Sequence, residues 1–338
     1  MKVSLIVSDI DGTLLPAGCR QDGTEPDGPG VSDGIRHLGT MIQKLELPFT
    51  LASGRPLDMM ELLGEHLGIT LPMVACNGAA AGGKKGLLWS DHLNTDQVRT
   101  AIECADHLNM AIIATDGSDE VVYRQNDYTR SRSRNGSWTK TWRPACEEDW
   151  QNWRIQKLLI IDPASPGKVD EVICELNRNR KQEELSILRY DDRGIEVMPG
   201  ECTKGMGVKR LAQSLGIPMD EVMVLGDNKN DIDMFRAAGL GAAVGNAVSA
   251  LKEEADYVSH EKWVYGVIEA LEALNLPQRC HEALECKGSE RGKGTMKGKR
   301  TSLKRYWNRT AGFCRHLRCL SLLRFSRFFR QSTRAFLL

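Results

Sequence analysis

Nowhere does this 338-residue chain hold the roughly 18 consecutive apolar residues expected of a membrane-spanning helix; its apolar runs are only strand-sized. The reading therefore excludes a helical membrane protein. No secretory leader is expected either: in "MKVSLIVSD" the apolar run is cut short by Asp9 and no small-residue cleavage site follows. A first strand in a cytoplasmic protein is expected instead. The ten cysteines (Cys19, Cys76, Cys104, Cys146, Cys174, Cys202, Cys280, Cys286, Cys314 and Cys319) include no CxxC pair, and no histidine is spaced to complete a zinc knuckle. Reduced thiols follow. There is no internal repeat and no net charge, but the zero hides an asymmetry: residues 279–338 hold 16 Lys and Arg against 3 Glu, leaving 29 basic against 42 acidic residues in the rest.

What is present is a globular composition, 41% apolar and 27% charged, on a chain long enough for two ordinary domains. Short apolar runs that end in Gly, Asp or Ser (Val3 to Ser8, Phe49 to Ala52, Met73 to Cys76, Val222 to Gly226, Ala242 to Val244) alternate with segments of helical periodicity such as "VSDGIRHLGTMIQKL" and "KGMGVKRLAQSLG". That alternation predicts an α/β fold with a parallel sheet and crossover helices. Between Gly83 and Arg193 the texture changes to mixed strand and helix signals with five Trp, which predicts a second domain inserted into the first. From about Gln278 onward no sheet or globular pattern remains.

Four short motifs carry the chemistry. "SDIDGTLL" ends a buried strand with Asp9 and Asp11, two like charges two positions apart. A carboxylate can attack phosphorus and form an aspartyl-phosphate, which suits Asp9 as nucleophile. Asp11 would then protonate the leaving alcohol and later take a proton from water. Such a gathering of negative charge calls for a hard divalent cation, and Mg²⁺ fits. "VLGDNKND" sets Asp227 at the end of another strand, as a second carboxylate for that metal, although the same stretch could be a plain helix start capped by Asn230 or Asp231. "LASGRP" offers the Ser53 hydroxyl and the backbone N–H groups of the following turn, through Gly54 and Arg55, to phosphate oxygens. Lys204 opens a helix and would add a point charge to the same phosphate. In open α/β sheets ligands bind off the carboxyl ends of the strands, where Asp9, Ser53 and Asp227 all stand.

Taken in order, "DIDGTLL", "LASGRP", "TKGMGVKRL" and "GDNKNDIDMF" resemble the four signatures of the haloacid dehalogenase-like phosphatase superfamily, and "ACNGA" with "VGNAVSALKEEADYV" resembles its Cof-type branch, with a large cap between the second and third signatures. The resemblance spans about residues 1–275. It implies a Rossmann-like parallel sheet core (1–82 and 194–277) with an inserted α+β cap (83–193), Mg²⁺ dependence, Asp9 as nucleophile and Asp11 as acid/base. It further implies that Ser53, Lys204 and Asn230 contact phosphate, and that Asp9, the Asp11 backbone carbonyl and Asp227 hold the metal with Asn228 or Asp231 in support. Two segments depart from the family pattern: the long Gly/Pro-rich loop "PAGCRQDGTEPDGPG" and the basic tail, 278–338.

The expected activity is a cytoplasmic Mg²⁺-dependent phosphatase acting on small phosphate monoesters such as sugar phosphates or phosphorylated cofactors. No obligatory protein partner is evident. A phosphohexomutase of the same fold is the alternative enzyme; a non-catalytic protein that works through its tail is the other. Trp138, Trp142, Arg143 and Arg132 are the candidate lid residues of the cap, or else part of a Trp-rich core beside an exposed basic loop. The tail reads as poorly ordered or as a basic amphipathic segment for an anionic membrane or nucleic acid.

Overall fold

The structure, a computed structural model, describes residues 2–16, 30–45, 47–117, 119–134, 140–164, 167–178, 185–189 and 193–273. The basic tail and most of the Gly/Pro-rich loop lie outside these residues. The described strands are β1 (Leu5–Ser8), β2 (Phe49–Leu51), β3 (Met73–Ala75), β4 (Ala80–Gly83), β5 (Gly86–Ser90), β6 (Ala111–Asp116), β7 (Asp119–Val122), β8 (Lys140–Thr141), β9 (Ile155–Ile161), β10 (Leu185–Arg189), β11 (Gly194–Pro199), β12 (Val222–Gly226), β13 (Leu240–Ala243) and β14 (Tyr257–Val258).

Five of them form the expected parallel sheet in the order β14-β13-β12-β1-β2. β1 is an interior strand, flanked by β12 and β2, and Leu5, Ile6 and Val7 are fully buried. Each such side chain contributes about 1.5–3 kcal/mol on burial. The interior place of β1 sets the site: its carboxyl end lies between those of β12 and β2. The expected strand at Met73 exists but belongs elsewhere. β3 joins β4 and β5 in an antiparallel three-stranded sheet and meets the chain just after β2 at the isolated bridge Ala52 to Val74.

The inserted segment holds a six-stranded sheet, β10-β11-β9-β6-β7-β8, antiparallel except between β7 and β8. Its strand pairing moves the junctions from those expected. β5 pairs with β4 although it lies past Gly83, and β11 pairs with β9 and β10 although it begins at Gly194. The crossings between sheets therefore fall near residues 91–94 and 200–203. Alternation along the strands divides this sheet's residues between two faces. Leu158 and Ile160 pack on one side with Val98, Ile102, Val172 and Leu176 of the helices Thr95–His107 and Lys168–Arg178. Lys157, Leu159 and Ile161 face the other side, toward the parallel sheet.

The Trp-rich segment is chiefly a core. Trp150 and Trp153 are buried, and Trp142 meets Trp153 edge-on at 4.4 Å between ring centres. Arg143 lies over the Tyr123 ring at 5.2 Å. Trp142 and Arg143 are thus spent on packing rather than on a lid; the side chains of Arg132 and Trp138 lie outside those described.

Candidate active site

Asp9 follows β1 directly, and its backbone N–H continues the ladder by donating to Leu225 O at 2.9 Å. Its carboxylate is 2% exposed. Oδ1 accepts from Lys204 Nζ at 2.5 Å, and the buried Oδ2 has no hydrogen-bond partner. Lys204 reaches in from the first position of the helix Lys204–Ser214, where the Thr203 hydroxyl caps the Met206 N–H at 3.2 Å. It is as buried as Asp9, and it also donates to Asp231 Oδ1 at 2.7 Å. Burial would lower the ammonium's pKa, but Asp231 and Asp9 together hold it well above its ordinary range. Burial lifts the Asp9 carboxyl well above its ordinary value, with Lys204 opposing and Asp231, Asp11 and Asp227 adding to the rise.

Asp227 ends β12 as expected. Its Oδ1 accepts from the Thr13 hydroxyl at 3.0 Å. Burial and the neighbouring Asp231 raise its pKa to about 6, against the Thr13 bond. Gly12 makes room for it: a Cβ at that position would overlap the Asp227 carboxylate, and the backbone there has φ +89°. Asn246 holds the same turn, its Nδ2 donating to Gly12 O at 2.7 Å.

Asp231 lies in the short helical turn after β12. Fully buried, it accepts from Lys204 through Oδ1 and from the N–H groups of Asp227 and Asn228 through Oδ2, at 3.0 and 2.9 Å. This pins the turn after β12. Asp9, Asp227 and Asp231 each place a carboxylate oxygen within 4.8 Å of the others. An all-oxygen donor set of this kind suits a hard divalent cation, and the unpartnered buried Oδ2 of Asp9 is the atom such an ion would satisfy.

Asp11 lies apart from that cluster. The turn at Gly12 carries it outward to 45% side-chain exposure, where Arg55 grips it through Nε at 2.8 Å and Nη2 at 2.5 Å. Ser53, at the end of β2, is buried, and its hydroxyl accepts from Arg55 N at 3.2 Å. Asp9, Asp11, Ser53, Gly54, Arg55, Lys204, Asn228 and Asn230 all line one cavity of about 690 Å³.

The roof of that cavity comes from the six-stranded sheet and was not foreseen. Glu120, Lys157 and Glu196 line it. Lys157 Nζ donates to Gly54 O at 2.6 Å, joining the two sheets at the turn after Ser53. The available signal was a charge inside an otherwise apolar strand, as in "RIQKLLIID".

Comparison with known proteins agrees with this geometry. The haloacid dehalogenase-like hydrolase family model matches residues 6–271. The 5-amino-6-(5-phospho-D-ribitylamino)uracil phosphatase YcsE of Bacillus subtilis is 27% identical over 273 residues, 80% of this chain and 94% of the relative. A phosphoglycolate phosphatase of Methanosarcina acetivorans is 25% identical over 277 residues, 81% of this chain and 97% of its own. Among solved structures, a haloacid dehalogenase-like hydrolase from Bacteroides thetaiotaomicron superposes with a TM-score of 0.66 at 26% identity, over 81% of this chain and 100% of that one.

Proposed function

The chain belongs to the haloacid dehalogenase-like hydrolases, and from that premise we propose that it is a cytoplasmic, Mg²⁺-dependent phosphatase that hydrolyses small phosphate monoesters through an aspartyl-phosphate on Asp9. One observation carries the reading: a buried carboxylate at the end of the interior strand β1, held by Lys204 on one oxygen and unpartnered on the other, inside a cavity large enough for a metabolite. The phosphatases named among its relatives support the same class of reaction.

In this reading the Asp9 carboxylate attacks phosphorus while the bond from phosphorus to the leaving alcohol breaks. Asp11 turns from Arg55, takes up a proton from solvent and gives it to that alcohol oxygen. It then takes a proton from water, whose oxygen attacks phosphorus; the Asp9–phosphorus bond breaks, and inorganic phosphate leaves with Asp9 restored. Ser53, Lys204 and Asn230 hold the phosphate oxygens, and Gly54 and Arg55 shape the turn beneath them. Asp9, Asp227 and the Asp11 carbonyl would hold the metal, with Asn228 and Asp231 keeping the turn that presents Asp227. The cation, when bound, screens charge between these carboxylates and polarises the phosphoryl oxygens.

The six-stranded unit serves as the cap that chooses the ester and shields the aspartyl-phosphate from water. Its movement hinges at residues 91–94 and 200–203. The relatives' names offer two kinds of ester, one on a ribityl chain and one on glycolate. The test is release of inorganic phosphate by the purified chain with Mg²⁺ from a panel of phosphate esters, without an activating bisphosphate, which a mutase would need. Activity should vanish in Asp9→Asn and with chelator. A folded Asp9→Asn that still turns over would overturn the assignment.

A further inference from the structure

Every carbonyl of the turn Ser53-Gly54-Arg55 is engaged. Ser53 O accepts from Asn77 N at 3.0 Å and Arg55 O from Cys76 N at 2.9 Å. Both donors have left-handed backbone, with φ +50° and +49°, a conformation that is costly for a non-glycine residue and persists where the surroundings fix it. The carbonyl between them, Gly54 O, accepts from Lys157 Nζ at 2.6 Å. Lys157 belongs to β9 of the six-stranded sheet, and its side chain is 5% exposed.

Lys157 is charged there. Burial would lower the ammonium's pKa, but Glu196 and Glu120 hold it above its ordinary range, and Glu196 Oε1 accepts from it at 3.4 Å. The Gly54 carbonyl therefore meets a full positive charge, and it shares one planar peptide unit with the Arg55 N–H. That N–H donates to Ser53 Oγ at 3.2 Å. A charge-assisted bond at the carbonyl polarises the peptide and strengthens the donor at its other end. A hydroxyl can accept and donate at once. Ser53 Oγ takes the Arg55 N–H and donates to no acceptor among the described residues, so its hydrogen is left for an acceptor in the cavity it lines. The connection from the ammonium to that hydroxyl runs unbroken through Gly54 O and Arg55 N.

We propose that Lys157 is a positioning residue for phosphate recognition: by fixing the peptide between Gly54 and Arg55 it holds the Ser53 oxygen and aims the Ser53 hydrogen at a phosphate oxygen of the substrate. This rests on the phosphatase reading and deepens it, because a residue of the six-stranded unit then acts on the ester through Ser53 without touching it.

The full chain with Mg²⁺ is titrated with inorganic phosphate by calorimetry, and its turnover of p-nitrophenyl phosphate is measured alongside. Ser53→Ala should weaken phosphate binding by about 10- to 10²-fold, as expected for loss of a hydrogen bond to a charged group. Lys157→Met should weaken it by about tenfold in the otherwise unaltered chain, but by about twofold or less in the Ser53→Ala background, where the hydroxyl it acts through is gone. Losses that agree within about twofold in the two backgrounds overturn the proposal, since a structural lysine, or one that attracts phosphate directly, acts the same with or without the hydroxyl. So does unchanged phosphate binding in Ser53→Ala or in Lys157→Met alone. If thermal unfolding shows Lys157→Met unfolded, the cycle is run with Lys157→Met combined with Glu196→Gln, which removes one charge of each sign and leaves no cation's partner stranded. A wild type that turns over no aryl ester overturns the phosphatase reading and this one with it; turnover with equal losses in the two backgrounds overturns the positioning role alone.

Discussion

Lys204→Met tests the electrostatic centre of the site. The ammonium lies 2.5 Å from Asp9 and 2.7 Å from Asp231, and all three side chains are at most 3% exposed. Methionine fills similar space, so the main change is loss of charge. Two buried carboxylates are then left without their cation, and breaking a buried ion pair from one side costs about 3–5 kcal/mol. At about 2–4 °C per kcal/mol for a protein of this size, the midpoint of thermal unfolding should fall by roughly 10 °C, measured with chelator present so that no cation replaces the lysine. A double-mutant cycle sharpens the test. Asp231→Asn alone leaves Lys204 with only Asp9, but in the Lys204→Met background it removes one of the two stranded charges. The double variant should therefore be more stable than the sum of the single effects, by about 0.5–3 kcal/mol. Additive losses, or a single-variant loss below about 1 kcal/mol, would show that Lys204 does not neutralise the pair, and the reasoning would fail.

Gly12→Ala should push the Asp227 carboxylate aside, and a misplacement on the order of 1 Å typically costs about 10²-fold in kcat/KM; steady-state kinetics on any accepted ester would show it. Asp11→Asn should lower turnover of alkyl phosphates by about 10²- to 10⁴-fold and of activated aryl phosphates by less, since a good leaving group needs little protonation. A loss below about tenfold on the alkyl ester removes Asp11 from that role. Glu269 gives a pH test away from the site. Burial pushes its carboxyl up, but the Glu261 N–H, the His260 ring, the Tyr257 hydroxyl and the His260 N–H outweigh this and hold it below its ordinary value. A lowered folded pKa stabilises above the unfolded value and loses that contribution as pH falls through the folded one. Glu269→Gln should thus melt below the wild type at neutral pH, and the gap should close below about pH 4.

Much of this protein was legible in the chain because the chemistry lies where strands end. An apolar run followed by Asp or Ser identified β1, β12 and β2 and put Asp9, Asp227 and Ser53 on one rim, since a parallel sheet aligns its carboxyl ends. Lone charges were harder to read. Lys204 looks the same in a sequence whether it meets water or two carboxylates; only the docking of its helix against the turn after β12 buries it with Asp231. Asp11 stands two positions from Asp9 in the sequence, but the chain leaves β1 at Ser8 and Arg55 draws Asp11 outward. The short β14 escaped notice because two residues carry no periodicity.

Local order and covalent spacing by themselves determined the parallel core, the insertion and the four motifs. Tertiary structure alone decided which insertion residues meet the site. Trp142 and Arg143, conspicuous in sequence, pack within the six-stranded unit, whereas Glu120, Lys157 and Glu196, from three different strands, share one face above Asp9. That convergence depends on strand order and register, which are settled by the packing of the whole sheet and not by any one segment's sequence.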